Sequence, residues 1–581
     1  MVIEDTAAAG SESRIDHLLS RVSILFVSAV WIPATVCAIF LFGGGTSWAT
    51  PAALTAVAAF LLLCFFLFRD LERKELILIA ALTLLLVLVS AAGCIFIKDT
   101  SFDGRWYHAS AILALLRGID PLYEVIPTQL GNQLLYANHY PKATWYFAAL
   151  TIHTFHEYQL GKLYNPLLIL ASAFYAFVFF GRFGMRRSYR WLLTLIVLLS
   201  PVPLSQWTTY YADDALGSLM TIVIMATVAL LVRANRLDRI LFVLSASLLV
   251  AIKFTGLVYI VIAAFFLIGG SLALKHRNGL ENLRRELLTD LALVSAAIGL
   301  GVLVLGYDPY VTNLEQGHHL FYPVMGKEKL DLVAGNLLPQ FREHPSNRFQ
   351  QLFVSLFSRA MDNQRGWTEL KVPFSLHAGE LAGLAKPDAR IEGFGVFFSG
   401  ALVACLILFL AVKGWRRNSP LLFGVLLIVV STLSNPMCWW ARYVPQLSLL
   451  PIFLLLPAFQ SKSTQVRFIA LILGLILLTN NFISAGVATG AAFIRSEKLT
   501  HGFETAAKVG GSGEYWAYRG SGEVAQLHYE QLSGFKGIII CGQVDAQKTL
   551  PTVGVFPIAI DRKMVTEVTL VKGSCSSGPP F

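Results

Sequence analysis

The stretch from Lys98 to Tyr123, KDTSFDGRWYHASAILALLRGIDPLY, sets Asp99, Asp103, Arg105, Trp106, Tyr107 and His108 close together directly after a long apolar run. Carboxylate, guanidinium and imidazole at such a boundary can move protons and bind anions. Asp103 precedes an amphipathic stretch in which Trp106, Ala109, Leu113 and Leu116 recur at helical spacing. Its carboxylate has two readings. As an N-cap it accepts backbone N–H groups and stabilises the helix by about 1 kcal/mol. As a general base it gains basicity from partial desolvation at the bilayer surface.

Further candidates lie downstream. TTYYADDALG puts Asp213 and Asp214 at the start of an apolar run. There they bind sugar hydroxyls or a divalent cation (Mg2+ or Mn2+) through oxygen, or favour the positive end of a helix. Adjacent helical residues point about 100° apart, so one of the two faces a site. AIKFTGL places Lys253 between two runs, as a snorkelling side chain or a phosphate contact. NPMCWWARY sets Arg442 beside Trp439 and Trp440; an interfacial belt accounts for the indoles, whereas the guanidinium fork suits a phosphate. Asn313, His318 and His319 in YDPYVTNLEQGHHLFYP are polar candidates, but two adjacent histidines make no zinc site. GxxxxGK[ST], HExxH and a GxGxxG opening a helix are missing, which leaves nucleotide-driven transport and zinc proteolysis without support.

These residues must be positioned by membrane spans. The chain has 581 residues, 55% hydrophobic and 14% charged, with mean hydropathy +0.62. So little charge cannot cover a soluble surface; the composition is that of a polytopic α-helical membrane protein. Apolar runs near 22–42, 50–68, 75–97, 161–181, 190–205, 213–232, 239–253, 254–270, 288–306, 394–413, 419–434, 444–459 and 466–487 predict about thirteen transmembrane helices. The 46 Lys+Arg against 36 Asp+Glu fall in short loops such as RDLERKE and GRFGMRRSYR, not on one soluble face, so no nucleic-acid partner is expected. With residues 1–21 cytoplasmic, every loop on that side carries at least two Lys or Arg, and the long polar segments fall outside.

The domain reading is then 1–21 cytoplasmic, 22–487 transmembrane with outer loops 98–160 and 307–392, and 488–581 outside. The two helical stretches of the first loop read as lying along the membrane surface. In the tail KGIIICG, TVGVFPIAI and KMVTEVTLVK read as short strands of a small β-rich (α/β) domain. A tail outside the cytoplasm would permit a Cys541–Cys575 disulfide, while Cys37, Cys64, Cys94 and Cys405 read as buried small hydrophobes.

The pattern resembles the GT-C superfamily of membrane glycosyltransferases, with an A-type module, over roughly residues 75 to 460. The likeness rests on an acidic residue in a large first outer loop (SFDGRWYHAS). It extends to the second large loop after the seventh helix counted from 75–97, and to GIDPLY, YYADDAL, IKFTGL, PYVTN with FYP, and WWARY. The resemblance implies inverting transfer of a sugar from a polyprenyl-phosphate donor to an acceptor hydroxyl on a glycan, lipid or protein. The setting it implies is the outer face of a bacterial inner membrane, with the C-terminus periplasmic. Asp103, or failing it Asp99, would be the base; the other acidic partner in the loop is either Asp99 or Asp120. Arg442, then Lys253, then Arg105 and Lys142, would hold the phosphate. His108, Asp213, Asp214, Asn313, His318, His319 and Trp440 would line the site, and Trp106, Tyr107 and Tyr211 would stack on the sugar or anchor the interface. A transferase of the O-antigen ligase or polymerase type, using a diphosphate-linked donor, and a lipid flippase or transporter are the alternatives.

Overall fold

The structure, a computed structural model, describes residues 13–44, 48–125, 133–275, 280–361, 368–388, 390–414, 419–510, 514–518, 538–541, 552–561 and 564–571. Cys575, and with it the expected Cys541–Cys575 disulfide, lies outside the described residues. Among them, eight helices are long and apolar enough to cross a membrane: Arg14–Leu41, Ala49–Phe68, Arg73–Phe96, Tyr158–Arg182, Asp213–Arg233, Phe254–Lys275, Leu280–Val304 and Thr464–His501. A helix satisfies its backbone polar groups internally, which hydrocarbon demands. The chain is a multi-pass membrane protein.

The other expected spans are shorter helices: Arg187–Leu198, Arg236–Ile252, Phe398–Ala411, Ser419–Ser434 and Leu450–Phe459. Proline accounts for two of the differences. The run at 190–205 breaks after Leu198 because Pro201 and Pro203 restart the chain as a separate turn. The run at 444–459 begins in 3-10 turns, Ala441–Tyr443 and Pro445–Leu449.

Asp213–Arg233 is the central helix, 94% buried across its apolar window, against Arg236–Ile252, Phe254–Lys275 and Tyr164–Arg182. It is apolar all round, as a helix enclosed by others should be. Ala49–Phe68 and Arg73–Phe96 are the opposite case, 17% and 11% buried. They leave Leu61, Phe65, Leu84 and Leu88 facing outward, where lipid takes the place of protein.

Two expectations are corrected. The stretch Ala143–Phe155 does not lie on a surface: Ala143 through Ile152 are all buried, and the helix packs on Arg14–Leu41 and Ala109–Leu116. Trp145, Tyr146 and Phe147 give it apolar faces on every side, which its short length had concealed. The boundary set at 487/488 falls inside one continuous helix, Thr464–Gly510. Beyond it, Glu514–Tyr518 pairs in parallel with Ile538–Cys541 and antiparallel with Met564–Val571, which pairs in turn with Thr552–Asp561.

Ion pairs fasten one end of the bundle. Arg182 pairs with Asp238, which also accepts from the Tyr175 hydroxyl at 2.8 Å; Arg190 pairs with Asp16, and Arg21 grips Asp70. The cavity described below opens at the opposite helix ends. Nearer that end, Lys142 Nζ sits 2.6 Å from Asp308 Oδ2 with both side chains buried, and donates to the carbonyls of Asn138 and Tyr140. Burial drives both groups toward neutrality, raising the Asp308 carboxyl and lowering the Lys142 amine, while each partner opposes the other's shift. Removing one charge alone strands the other, at a cost of about 3–5 kcal/mol. Thermal unfolding of purified protein should therefore show Lys142→Met far less stable than wild type, with much of the loss recovered in Lys142→Met/Asp308→Asn.

Candidate active site

A cavity of about 730 Å³ is lined by the first long loop (Thr100 to Asp103, Arg105 to His108, Tyr136, Tyr140, Trp145), by Tyr211 and Asp213, and by Ile252 to Thr255. Lys386, Asp388 and Arg390 of the second loop, Asn435 to Met437, Trp440, Arg442, Tyr443 and Arg495 complete it. Most of this wall is loop, turn or helix end, irregular chain of the kind a membrane protein tolerates where it lines a cavity; Arg495 comes from within the helix Thr464–Gly510.

Asp103 is delivered by a tight turn. Asp99 Oδ1 accepts from Ser101 N at 2.7 Å and its Oδ2 from Tyr210 N at 2.8 Å, which fastens the loop start to the segment before Asp213. The chain then enters a π turn, Gly104–His108. Only glycine fits at 104, since a Cβ there would stand 2.1 Å from Asp99 Oδ2 and 2.3 Å from Ser101 Oγ. The expected N-cap bond does not form: Asp103 caps no backbone N–H. Instead Asp103 Oδ2 accepts from Arg442 Nη2 at 3.0 Å, and Asp103 N donates to the Tyr211 hydroxyl at 3.4 Å.

Arg442 sits in the turn Ala441–Tyr443, which is pinned from three sides. Tyr259 donates to Tyr443 O at 2.8 Å, Asn435 Nδ2 to the same carbonyl at 3.2 Å, and Ser355 to Trp439 O at 2.6 Å. The guanidinium faces three carboxylates: Asp103, Asp388 with Oδ1 3.2 Å from Nη1, and Asp213 with Oδ2 3.6 Å from Nε. Burial alone would discourage its charge, but Asp388, Asp103 and Asp213 outweigh that and hold it above the usual arginine value. Its carbon Cζ lies 4.5 Å from the Trp440 ring and 5.1 Å from the Tyr211 ring, and Arg390 lies 4.1 Å from Trp440.

Lys253 stands where two helices meet. Its backbone is extended, with φ −155 and ψ 143, and Gly256 permits the junction because a Cβ would meet Leu249 O at 2.1 Å. Its ammonium pairs with Asp213 and lies 4.3 Å from the Tyr443 ring, so the snorkelling reading is replaced by an ion pair in the cavity. Asp213 faces the site. Asp214 is fully buried and turned away, as the angle between adjacent helical residues requires.

The opposite wall is aromatic. Trp106 and Tyr107 meet Tyr136 at 5.6 and 5.3 Å between ring centroids, and Tyr136 meets Tyr140 at 5.1 Å. Burial raises the phenols of Tyr107, Tyr136 and Tyr140, so they stay protonated and can donate to a ligand. His108 accepts from Trp145 Nε1 at 2.7 Å, and burial, then Lys253 and Arg442, push it down to about 3. It is neutral at working pH.

Of the residues singled out by sequence, Asp103, Arg105, His108, Tyr211, Asp213, Lys253, Trp440 and Arg442 line one cavity. Asp99 ties the loop, and Lys142 pairs with Asp308. Asn313 bonds His139 Nδ1 at 2.8 Å, His318 stacks on Tyr322 at 4.1 Å, and exposed His319 accepts from Phe321 N. Those contacts hold the 313–322 turn together, away from the cavity. Asp388, Arg390, Tyr136, Tyr140 and Tyr443 were not singled out. Tyr136 and Tyr140 carried a readable signal, the i, i+4 spacing of two rings on one helix face; Asp388 and Arg390 lie in KPDAR, which has none.

The donor set does not fit a divalent cation. Among the described residues no three His, Cys, Asp or Glu side chains are grouped to hold one, and the carboxylates of Asp103, Asp213 and Asp388 are turned to Arg442 and Lys253. An anion fits better. Arg442 Nε and Nη1 and Trp440 Nε1 are buried donors with no hydrogen-bond acceptor among the described residues.

No family model and no curated protein matches this chain. Among solved structures, it is similar to ArnT from Cupriavidus metallidurans in the apo state: TM-score 0.42, 13% identity, covering 81% of this chain and 86% of that one. The same protein bound to undecaprenyl phosphate gives TM-score 0.39 and 13% identity, over 82% and 87%.

Since the unfolded chain protonates His108 near 6.5 and the folded chain only near 3, acidification through that window favours unfolding. Melting temperature should fall from pH 7 to pH 4 less steeply in His108→Gln than in wild type; parallel slopes would show that His108 is not held neutral.

Proposed function

We propose that this protein is a membrane glycosyltransferase that moves a sugar from a polyprenyl-phosphate carrier to an acceptor hydroxyl. The observation that carries the reading is the meeting of one carboxylate, Asp103, and one buried guanidinium, Arg442, at 3.0 Å in a cavity at the helix ends. The GT-C resemblance of SFDGRWYHAS and WWARY supports the same conclusion.

Asp103 takes the proton of the acceptor hydroxyl as its oxygen attacks the anomeric carbon, opposite the phosphate. The bond between that carbon and the phosphate oxygen breaks, and the sugar inverts. The departing lipid phosphate is a stable anion and needs no acid. It needs donors where its charge develops, and Arg442 Nε and Nη1 with Trp440 Nε1 are buried and lack acceptors. Lys253 balances Asp213 beside them. Trp106, Tyr107, Tyr136 and Tyr140 supply faces and hydroxyls for the sugar. No step passes through a metal.

In this reading the cavity lies on the outer face of a bacterial inner membrane, with the N-terminus cytoplasmic, the five shorter helices also crossing the bilayer and the residues after the last span periplasmic. The acceptor is an envelope glycan, lipid or protein. Purified protein incubated with defined polyprenyl-phosphate sugars should release polyprenyl phosphate and glycosylate the acceptor, both read by mass spectrometry. Asp103→Asn should reduce turnover at least a thousandfold while donor binding persists, and Arg442→Ala should weaken donor binding. Turnover only with a diphosphate-linked donor, or full activity in Asp103→Asn, would reject the proposal.

A further inference from the structure

Resting on that reading, the last helix supplies a residue that the sequence pattern does not mark. We infer that Arg495, on Thr464–Gly510, is a positioning residue whose guanidinium ties the first long loop to the second and so fixes where Asp103 stands relative to Arg442.

The ties fall at matched places. Among the contacts of Arg495, Nη1 donates to Ala385 O at 2.8 Å and Nε to Thr100 Oγ1 at 3.3 Å. Thr100 comes three residues before Asp103, and Ala385 three residues before Asp388. Those are two of the carboxylates that meet Arg442. The two loops are thus joined twice, once through Arg442 and once through Arg495.

Other residues of the same helix hold the flanks of both loops. Ser496 Oγ accepts from Lys98 N at 2.8 Å and donates to Phe96 O at 3.2 Å, which fastens the entry to the first loop. Asn480 accepts from Phe397 N and donates to Phe394 O, both at 2.8 Å, where the second loop runs into its next helix. Groups carried on one continuous helix are placed more precisely than groups on loops, so this helix sets the spacing between the two.

The turn bearing Arg442 has supports of its own in Tyr259, Asn435 and Ser355. Loss of Arg495 should therefore leave the donor-binding guanidinium in place and displace the base. A shift of about 1 Å at a reacting group costs about a hundredfold in rate. The bridge depends on the fork of the guanidinium, and lysine would keep the charge without that fork.

The test uses full-length detergent-purified protein with defined polyprenyl-phosphate sugars, and counts donor-binding sites so that turnover is expressed per folded molecule. Arg495→Gln and Arg495→Lys should both lower kcat about ten- to a hundredfold, with donor Kd within about twofold of wild type. Thr100→Val removes one acceptor and keeps the guanidinium. It should lower kcat in the same direction, and the double variant Thr100→Val/Arg495→Gln should fall no further than Arg495→Gln alone. A merely structural contact would change the number of binding sites and leave kcat per site untouched. Wild-type kcat per site in Arg495→Gln or Thr100→Val, recovery of turnover in Arg495→Lys, or donor binding weakened in step with turnover overturns this inference alone. Absence of turnover in wild type with every such donor overturns it together with the function proposed above.

Discussion

The site is organised by one buried positive charge that several chain segments share. Arg442 lies in a partly desolvated cavity where an unpaired cation would be costly, and it is made tolerable by carboxylates from three separate places: Asp103 in the first long loop, Asp213 at a helix start and Asp388 in the second. None of these segments is near another in sequence. The guanidinium therefore gathers the loops at one point, and its Nε and Nη1 donors are left there without acceptors among the described residues.

The rest of the fold can be understood as what keeps that charge fixed. The central helix Asp213–Arg233 is enclosed on all sides and carries Asp213 at its end, so the carboxylate inherits the rigidity of the bundle core. The turn bearing Arg442 is held by Tyr259, Asn435 and Ser355, and the loop bearing Asp103 is fastened through Asp99. At the other end of the bundle, the Arg182–Asp238 and Arg190–Asp16 pairs lock helix ends together. One end is braced by pairs that neutralise each other, while the other holds buried donors without acceptors among the described residues.

Apolar length made the helices legible in the sequence, because a bilayer demands long apolar runs; where proline breaks two of those runs, near Pro201 and Pro445, the length alone did not tell. Position along the chain also marked Asp103, Asp213, Lys253 and Arg442, each a charge at an apolar boundary. Sequence spacing could not say which of them meet: Asp103 and Arg442 are 339 residues apart. The same limit explains the candidates that went elsewhere. Lys142 looks no different from Lys253 in sequence, yet it finds Asp308 while Lys253 finds Asp213. Asn313 and His318 are drawn into a turn with His139 and Tyr322, partners that only the folded chain supplies. Asp388 was invisible because it sits in an aperiodic loop, where no pattern separates a solvated charge from one aimed at a cavity. The surface position expected of Ala143–Phe155 failed for a related reason: a short helix with apolar residues all round reads as interfacial until its neighbours are known.

The proposed reaction requires that Arg442 receive a lipid-linked phosphate with Asp103 beside the reacting carbon. An electron cryo-microscopy structure with a non-cleavable polyprenyl phosphonate glycoside would test it most directly. The expected result is phosphonate oxygens within hydrogen-bond distance of Arg442 and the sugar against Trp106, Tyr107, Tyr136 and Tyr140, with the Asp103 carboxylate open to the anomeric face opposite the phosphonate. A headgroup bound elsewhere, with the Arg442–Asp103 pair intact and the cavity empty, would contradict it.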